Sequence, residues 1–338
     1  MKTPLISVVL PVYNVAPFIK EALDSVLNQT IQDFEVLVID DCSTDDTLKI
    51  VKDFKDDRIR IIEKQQNKGL IDSLNIGFKE AKGQYIARMD GDDINVLNRF
   101  EKQLNVLQNN PEIKACGCWL QQFGNVNKTI KHKEFHDEIV ARMLLHCSMS
   151  MGAVMLERKA VSEYKFDTSR VHVEDYDFWA RIAWSCKFYN IQEVLYYYRV
   201  HNNQVTHVHK GFQIKADIPI KLFLFKKLKY NTELYSDKLI TKMLLLNQYV
   251  EVDEVKLFFD WLKALSKLNI KQQVYSQKEL LKVLQSILRI SVFYFYFKKN
   301  AVGIDKKWRK QMFFKLPKKE MLFVIRLKAR EIKKRLFV

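Results

Sequence analysis

Through the first hundred residues, short apolar runs rich in β-branched side chains alternate with longer stretches whose apolar residues recur at helical spacing. Residues 6–10 read ISVVL, a run suited to a parallel strand buried on both faces. Residues 16–29 set Ile19, Leu23, Val26 and Leu27 on one helical face, and residues 44–54 do the same with Leu48, Val51 and Phe54. Residues 34–39, 59–62 and 85–89 read as further strands, and residues 70–81 as a helix. This βαβαβαβ order predicts an α/β fold with a doubly wound sheet, whose ligands bind beyond the carboxyl ends of the strands.

After a helix over 96–108 and a strand over 114–121, the order loosens. Strand-like runs within 146–158 and 187–199 flank a short helix at 178–184. From residue 218 the spacing is helical, over 222–228, 239–249, 255–268 and 279–297. The apolar run at 287–297, broken by Arg289 and Ser291, is too short by itself to span a bilayer. The apolar start at 5–12 is too short for a signal peptide and runs straight into the patterned region.

Charge divides the chain where the pattern changes. Residues 1–219 hold 28 Lys and Arg against 30 Asp and Glu, whereas residues 220–338 hold 28 against 10, a net +18. The expected organisation is therefore a catalytic domain over 1–215 and a helical, basic C-terminal region over 216–338. At its end, residues 318–338 space Leu322, Ile325, Ala329, Ile332 and Leu336 as a stripe among eight Lys and Arg. That pattern fits a helix lying on an anionic membrane surface, or one whose stripe packs on its own domain. Nucleic acid is the third and least favoured partner, and none is expected. The five cysteines lack paired metal-ligand spacing, and Cys116 and Cys118 read as packing residues on a strand.

Three acidic clusters carry the chemistry. Asp40 and Asp41 follow the strand EVLVI; Asp90, Gly91, Asp92 and Asp93 follow YIARM; Glu174 and Asp175 precede the helical run FWARIAW. The first two fall at strand ends, where carboxylates can converge on a divalent cation and through it on a phosphorylated ligand. Gly91 permits a sharp turn between the aspartates. Taken singly, each cluster is equally a helix cap or an acidic turn.

Taken together, the ordered motifs resemble the family 2 glycosyltransferases of GT-A fold over roughly residues 5–205. They are Pro11-Val12-Tyr13-Asn14, Ser25-x3-Gln29-Thr30, Glu35, Asp40-Asp41-x-Ser43-Thr44-Asp45-x-Thr47, Asn67-x-Gly69 and Asn75-x-Gly77. There follow Ala81-x-Gly83-x-Tyr85, Asp90 to Asp93, Arg99, Gln103, Glu174-Asp175 and Tyr198-Arg199-x-His201.

The resemblance implies an inverting, Mn²⁺- or Mg²⁺-dependent transfer of a sugar from a UDP-sugar to a hydroxyl of a glycan or lipid-linked glycan. Such an enzyme would work at the cytoplasmic face of the cell membrane in surface-glycan synthesis. It implies that Asp40 or Asp41 reads the base beside Tyr13, with Pro11, Asn14, Asn67 and Gly91 in the donor site. Asp90 would approach ribose and phosphates, Asp92 would ligate the metal with His201 assisting, and Asp175 would be the base. Glu174 and Trp179 fall on the acceptor side, although Trp179 at helical spacing is equally a core residue. Transfer to a polyprenyl phosphate, and a non-catalytic nucleotide-binding or membrane-docking module, are the alternatives. Cys42 and Asp46 stand where many relatives have glycine, which predicts a base-reading loop of different shape.

Overall fold

The computed structural model describes residues 3–201, 210–298 and 302–336, with side chains for all of these except residue 210 and residues 330–336. His207 and His209, to which no role is assigned, lie outside the described residues. Contacts divide the chain into two units, Met1–Ala216 and Asp217–Val338.

The first unit begins with β1 (Ile6–Val12), α1 (Ala16–Leu27), β2 (Phe34–Asp40), α2 (Thr47–Asp53), β3 (Ile59–Glu63), α3 (Leu70–Glu80) and β4 (Tyr85–Arg88). It continues with β5 (Ile94–Asn95), α4 (Arg99–Asn109), β6 (Ile113–Gly124), β7 (Lys128–Ile130), α5 (His136–Arg142) and a 3-10 turn (Met151–Ala153). Then come β8 (Met155–Glu157), α6 (Arg158–Val161), α7 (Glu174–Ile182) and β9 (Lys187–Val200). Among the described residues these strands form one mixed sheet in the order β3-β2-β1-β4-β8-β6-β9-β5, with β7 paired to β6.

Strands β3, β2, β1 and β4 are parallel; β8 reverses direction against β4, and β6 reverses again. Every residue of β1 is buried because β2 and β4 flank it and helices cover both faces. Val8 and Leu10 pack with Ile19 and Val26 of α1, while Val9 joins Leu37, Ile39 and Ile86 against Ile76 and Phe78 of α3. The alternation is the two-residue period of a strand read on a two-sided sheet.

Register then aligns the functional ends. Val12 lies beside Asp40 across β1 and β2, and the Met89 amide donates to the Val9 carbonyl at 3.2 Å. Asp40 and Asp90 therefore leave the same edge of the sheet. The strand expected within 146–158 is mostly irregular: only β8 is extended, and the segment before it forms the 3-10 turn. Cys116 and Cys118 are buried in the core, where burial pushes the Cys118 thiol up to about 11.

The second unit is helical: α8 (Lys210–Lys226), which crosses the division, then α9 (Asp237–Leu245), α10 (Val252–Gln272), α11 (Gln277–Phe297), α12 (Lys306–Lys315) and α13 (Lys318–Leu336). Its core gathers Phe225, Phe258 and Trp261 around α10, and Phe295 against Trp308 between α11 and α12. Helix α11 contains the apolar run 287–297 and begins two residues before the helix read over 279–297. Its 21 residues are long and apolar enough to cross a membrane, yet half of that window is buried inside the unit, as in a core helix.

Candidate active site

At the carboxyl end of β2 the two aspartates differ. Asp41 Oδ1 accepts from the Lys68 amide at 2.9 Å and pairs with Lys64 Nζ at 2.6 Å, while its Oδ2 accepts from the Gly69 amide at 2.8 Å. Those contacts tie Asp41 to the loop before α3. Asp40 accepts from the Ser43 amide at 3.1 Å through Oδ2. Its Oδ1 is buried and has no hydrogen-bond partner among the described residues. A buried carboxylate oxygen without a donor is costly, so a ligand N–H is the fitting complement.

Asn14 and Asn67 are also spent on loop geometry. The Asn14 amide donates to Ser43 Oγ and its Oδ1 accepts from the Thr44 amide at 2.8 Å; Asn67 Oδ1 accepts from the Gly69 amide at 3.2 Å. Pro11 is buried near the carboxyl end of β1. Tyr13 by contrast is 46% exposed beside this edge. Cys42 has φ +62, so the departure from glycine keeps the left-handed backbone that glycine adopts most easily.

The second cluster is held from beneath by Arg88 and Tyr196, which sequence reading did not single out, and by Arg199 of the motif set. Arg88, buried at the end of β4, pairs with Asp90 Oδ2. Burial disfavours its charge, but Asp90, then Tyr196 and Asp93, hold the guanidinium pKa above its ordinary value. The Asp90 amide donates to the Tyr196 hydroxyl at 3.1 Å. Arg199 donates its amide to Asp93 Oδ1 at 2.7 Å and its Nε to the Asp92 carbonyl at 2.7 Å, with its guanidinium between the rings of Phe18 and Phe123. Gly91 matters for close approach rather than for an unusual turn: a Cβ there would lie 2.9 Å from Val12 Cγ1. A charged residue inside the apolar run YIARM was the one sequence signal for Arg88, since a buried arginine requires an anionic partner.

Asp92 Oδ2 lies 3.1 Å from His201 Nε2, and the imidazole packs on Phe18. Burial, followed by the Asp90 charge, raises the Asp92 carboxyl above its ordinary value, and burial with Asp90 and Asp92 raises Asp93 further. Among the described residues no three His, Cys, Asp or Glu side chains form a closed metal cage. Asp92 and His201 instead make a two-donor set. A hard divalent ion fits such a set when phosphate oxygens and water complete its shell.

The third cluster faces this centre. Glu174 and Asp175 open α7, whose first turn also carries Asp177, as suits a helix N-terminus. Burial, then the Asp175 charge, pushes the Glu174 carboxyl up to about 7, with Arg88 and Asp90 both close enough to act on it. The segment 147–153 touches both clusters. Cys147 Sγ lies 3.7 Å from Asp175 Oδ2, and a Cβ on Gly152 would lie 2.6 Å from Asp90 Oδ2 and 2.9 Å from Arg88 Nη1.

Trp179 is corrected to a core residue. It is fully buried, edge-on to Phe178 and Phe188, and has no face to offer a sugar. Gln29, Arg99 and Gln103, members of the motif set, are likewise staples. Arg99 Nη2 donates to the carbonyls of Arg88 and Val154, and Gln103 Nε2 donates to those of Cys116 and Ala153. A pocket of about 480 Å³ against Pro4, Asp33, Lys82 and Arg158 lies at the opposite sheet edge, away from the acidic clusters.

A parallel β3-β2-β1-β4 arm, an Asp-x-Asp turn at its carboxyl edge and a carboxylate pair facing that turn make up a mixed α/β fold of GT-A type. The model described as glycosyl transferase family 2 matches residues 7–176, and the chain belongs to that family as a glycosyltransferase. It is 34% identical over 233 residues to a glycosyltransferase of Haemophilus influenzae, covering 64% of this chain and 72% of the relative. It is 32% identical to WfgD of Escherichia coli, covering 53% of this chain and 69% of that one. WfgD is named as a UDP-Glc:alpha-D-GlcNAc-diphosphoundecaprenol beta-1,3-glucosyltransferase. The crystal structure of S. aureus TarS 1–349 with UDP aligns with a TM-score of 0.53 at 17% identity, covering 89% and 97% of the two chains. The mannosyltransferase PcManGT of Pyrobaculum calidifontis, in complex with GDP-Man and Mn²⁺, aligns with a TM-score of 0.52 at 17% identity, covering 85% and 88%.

Proposed function

We propose that the protein transfers a sugar, with inversion, from a UDP-sugar to a hydroxyl of a lipid-linked glycan at the cytoplasmic membrane face. The observation that carries this reading is the segment 147–153, which touches Asp90 at one end and Asp175 at the other. One short segment thereby links, in this reading, the donor-side and acceptor-side carboxylates.

In this reading the buried Asp40 Oδ1 accepts an N–H of the base, and the exposed Tyr13 ring lies against it. Asp90, held by Arg88, meets the ribose and phosphates. Asp92 and His201 would hold Mn²⁺ or Mg²⁺, which when bound offsets the charge of the diphosphate. Asp175 accepts the proton of the acceptor hydroxyl as its oxygen bonds the anomeric carbon. The bond from that carbon to the diphosphate oxygen breaks on the opposite face, and UDP departs. The choice of UDP and of a diphosphate-lipid acceptor is supported by the name of WfgD.

The test is UDP release and product formation from a panel of nucleotide sugars with Mn²⁺. Asp175→Asn is expected to lower kcat by about 10²–10⁴ while leaving donor binding intact. Asp92→Ala is expected to abolish Mn²⁺-dependent donor binding. Transfer by Asp175→Asn at the wild-type rate would remove Asp175 as the base.

A further inference from the structure

Over residues 318–329, helix α13 packs on its unit through one side and leaves the other exposed. Glu320 and Val324 are buried, whereas Leu322 and Ile325 are each 52% exposed and Ala329 is exposed. At about 100° per residue, Leu322, Ile325 and Ala329 fall within about 60° of one another, turned away from the Glu320–Val324 side. The apolar stripe read from the sequence is therefore not, over these positions, the surface that packs on the domain. Ile332 and Leu336 lie outside the described side chains.

The flanks of the stripe are cationic. Lys318, Lys319, Arg326 and Lys328 are all exposed, and the one carboxylate among residues 318–329, Glu320, is turned inward. The two preceding helices also carry exposed apolar side chains. Arg289 of α11 lies over Phe323 and Lys328 over Tyr296, which ties α11 to α13. The outer positions of α11 carry Ile290 (57% exposed) and Phe293 (53%), and α12 ends on Phe314 (71%) beside Lys315. Residues 306–336 hold 13 Lys and Arg against two Glu.

We infer that this face of the second unit is a docking surface for an anionic lipid bilayer. Leucine, isoleucine and phenylalanine side chains set among lysines and arginines match the headgroup boundary, where apolar atoms leave water and cations meet lipid phosphates. A duplex or single-stranded nucleic acid would gain nothing from Leu322 and Ile325. A second copy would bring a region of net +18 against another of the same sign. The inference deepens the proposed membrane-face function, yet it is measured without donor or acceptor. Vesicle binding without transfer would leave the surface standing and remove the transferase reading of the site; transfer without vesicle binding would do the reverse.

The experiment is co-sedimentation of the full chain with phosphatidylcholine vesicles, alone or with about one third phosphatidylglycerol. Binding is expected to the anionic vesicles only, and to fall steeply as salt is raised. Leu322→Gln with Ile325→Gln should weaken it by at least about tenfold, because two exposed apolar side chains no longer insert. Lys318→Glu with Arg326→Glu should weaken it on anionic vesicles similarly. Both pairs lie on the surface, so thermal unfolding and UDP-sugar hydrolysis in the absence of vesicles should match wild type. Absence of binding to anionic vesicles, or equal binding by wild type and both variants, would overturn the proposal. So would light scattering that shows a dimer abolished by Leu322→Gln with Ile325→Gln while vesicle binding is unchanged.

Discussion

Cys42 sits at φ +62 immediately after the two aspartates of β2, a backbone that costs an L-residue about 1 kcal/mol. Glycine there should be tolerated with full activity, whereas Cys42→Val should destabilise the chain by about 1–2 kcal/mol in urea unfolding, because a β-branched side chain is poorly accommodated at positive φ. Glu174 supports a pH prediction. Its folded carboxyl titrates near 7, above the ordinary 4.5, chiefly through burial. Between those values the folded chain holds a proton that the unfolded chain has released. Its contribution to stability is therefore full below 4.5 and lost as pH rises through 7. Glu174→Gln stays neutral throughout, so its melting temperature should exceed that of wild type at about pH 8 and converge with it near pH 4.5. A constant difference across the range would show that Glu174 does not hold this proton.

Elements are joined by buried polar side chains whose donors leave no slack. Arg99 at the start of α4 is fully buried, donates to β4 and to the residue before β8, and lies 5.1 Å from the Tyr196 ring of β9. Arg99→Met keeps much of the volume but orphans those carbonyls. It should cost about 3–5 kcal/mol in denaturant unfolding and loosen the turn that carries Asp90 and Asp92. At this scale the sequence was partly legible. The strands β1 to β4 and helices α1, α3 and α4 follow from local period, since one face or both must be apolar. The segment around the 3-10 turn did not, because its buried residues pack around a site rather than along a regular element. Trp179 was ambiguous for a related reason: helical spacing places an aromatic on a face but does not say whether that face meets protein or ligand.

The folded chain brings three carboxylates, those of Asp90, Asp93 and Glu174, within reach of one buried arginine, Arg88. Burial and then the neighbouring like charges raise the carboxyl groups of Asp92 and Asp93, and a divalent cation would offset the charge part of that penalty. Mn²⁺ should therefore raise the melting temperature more at about pH 8 than at about pH 5.5, since protons compete for Asp92 at the lower value. Asp92→Ala should remove the increment at both. Equal stabilisation at the two pH values, or an increment that survives Asp92→Ala, would locate the ion elsewhere.

Local pattern alone determined the alternation of strands and helices, the acidic residues at the strand ends and the cationic character of the last third, because each is written in neighbouring positions. Only tertiary structure decided that Asp41 is tied to Lys64 and the Gly69 loop while Asp40 keeps an open oxygen. It likewise set Glu174 against Arg88 and turned Leu322 and Ile325 outward. Those outcomes depend on which distant group reaches a side chain first, and a linear chain does not carry that distance.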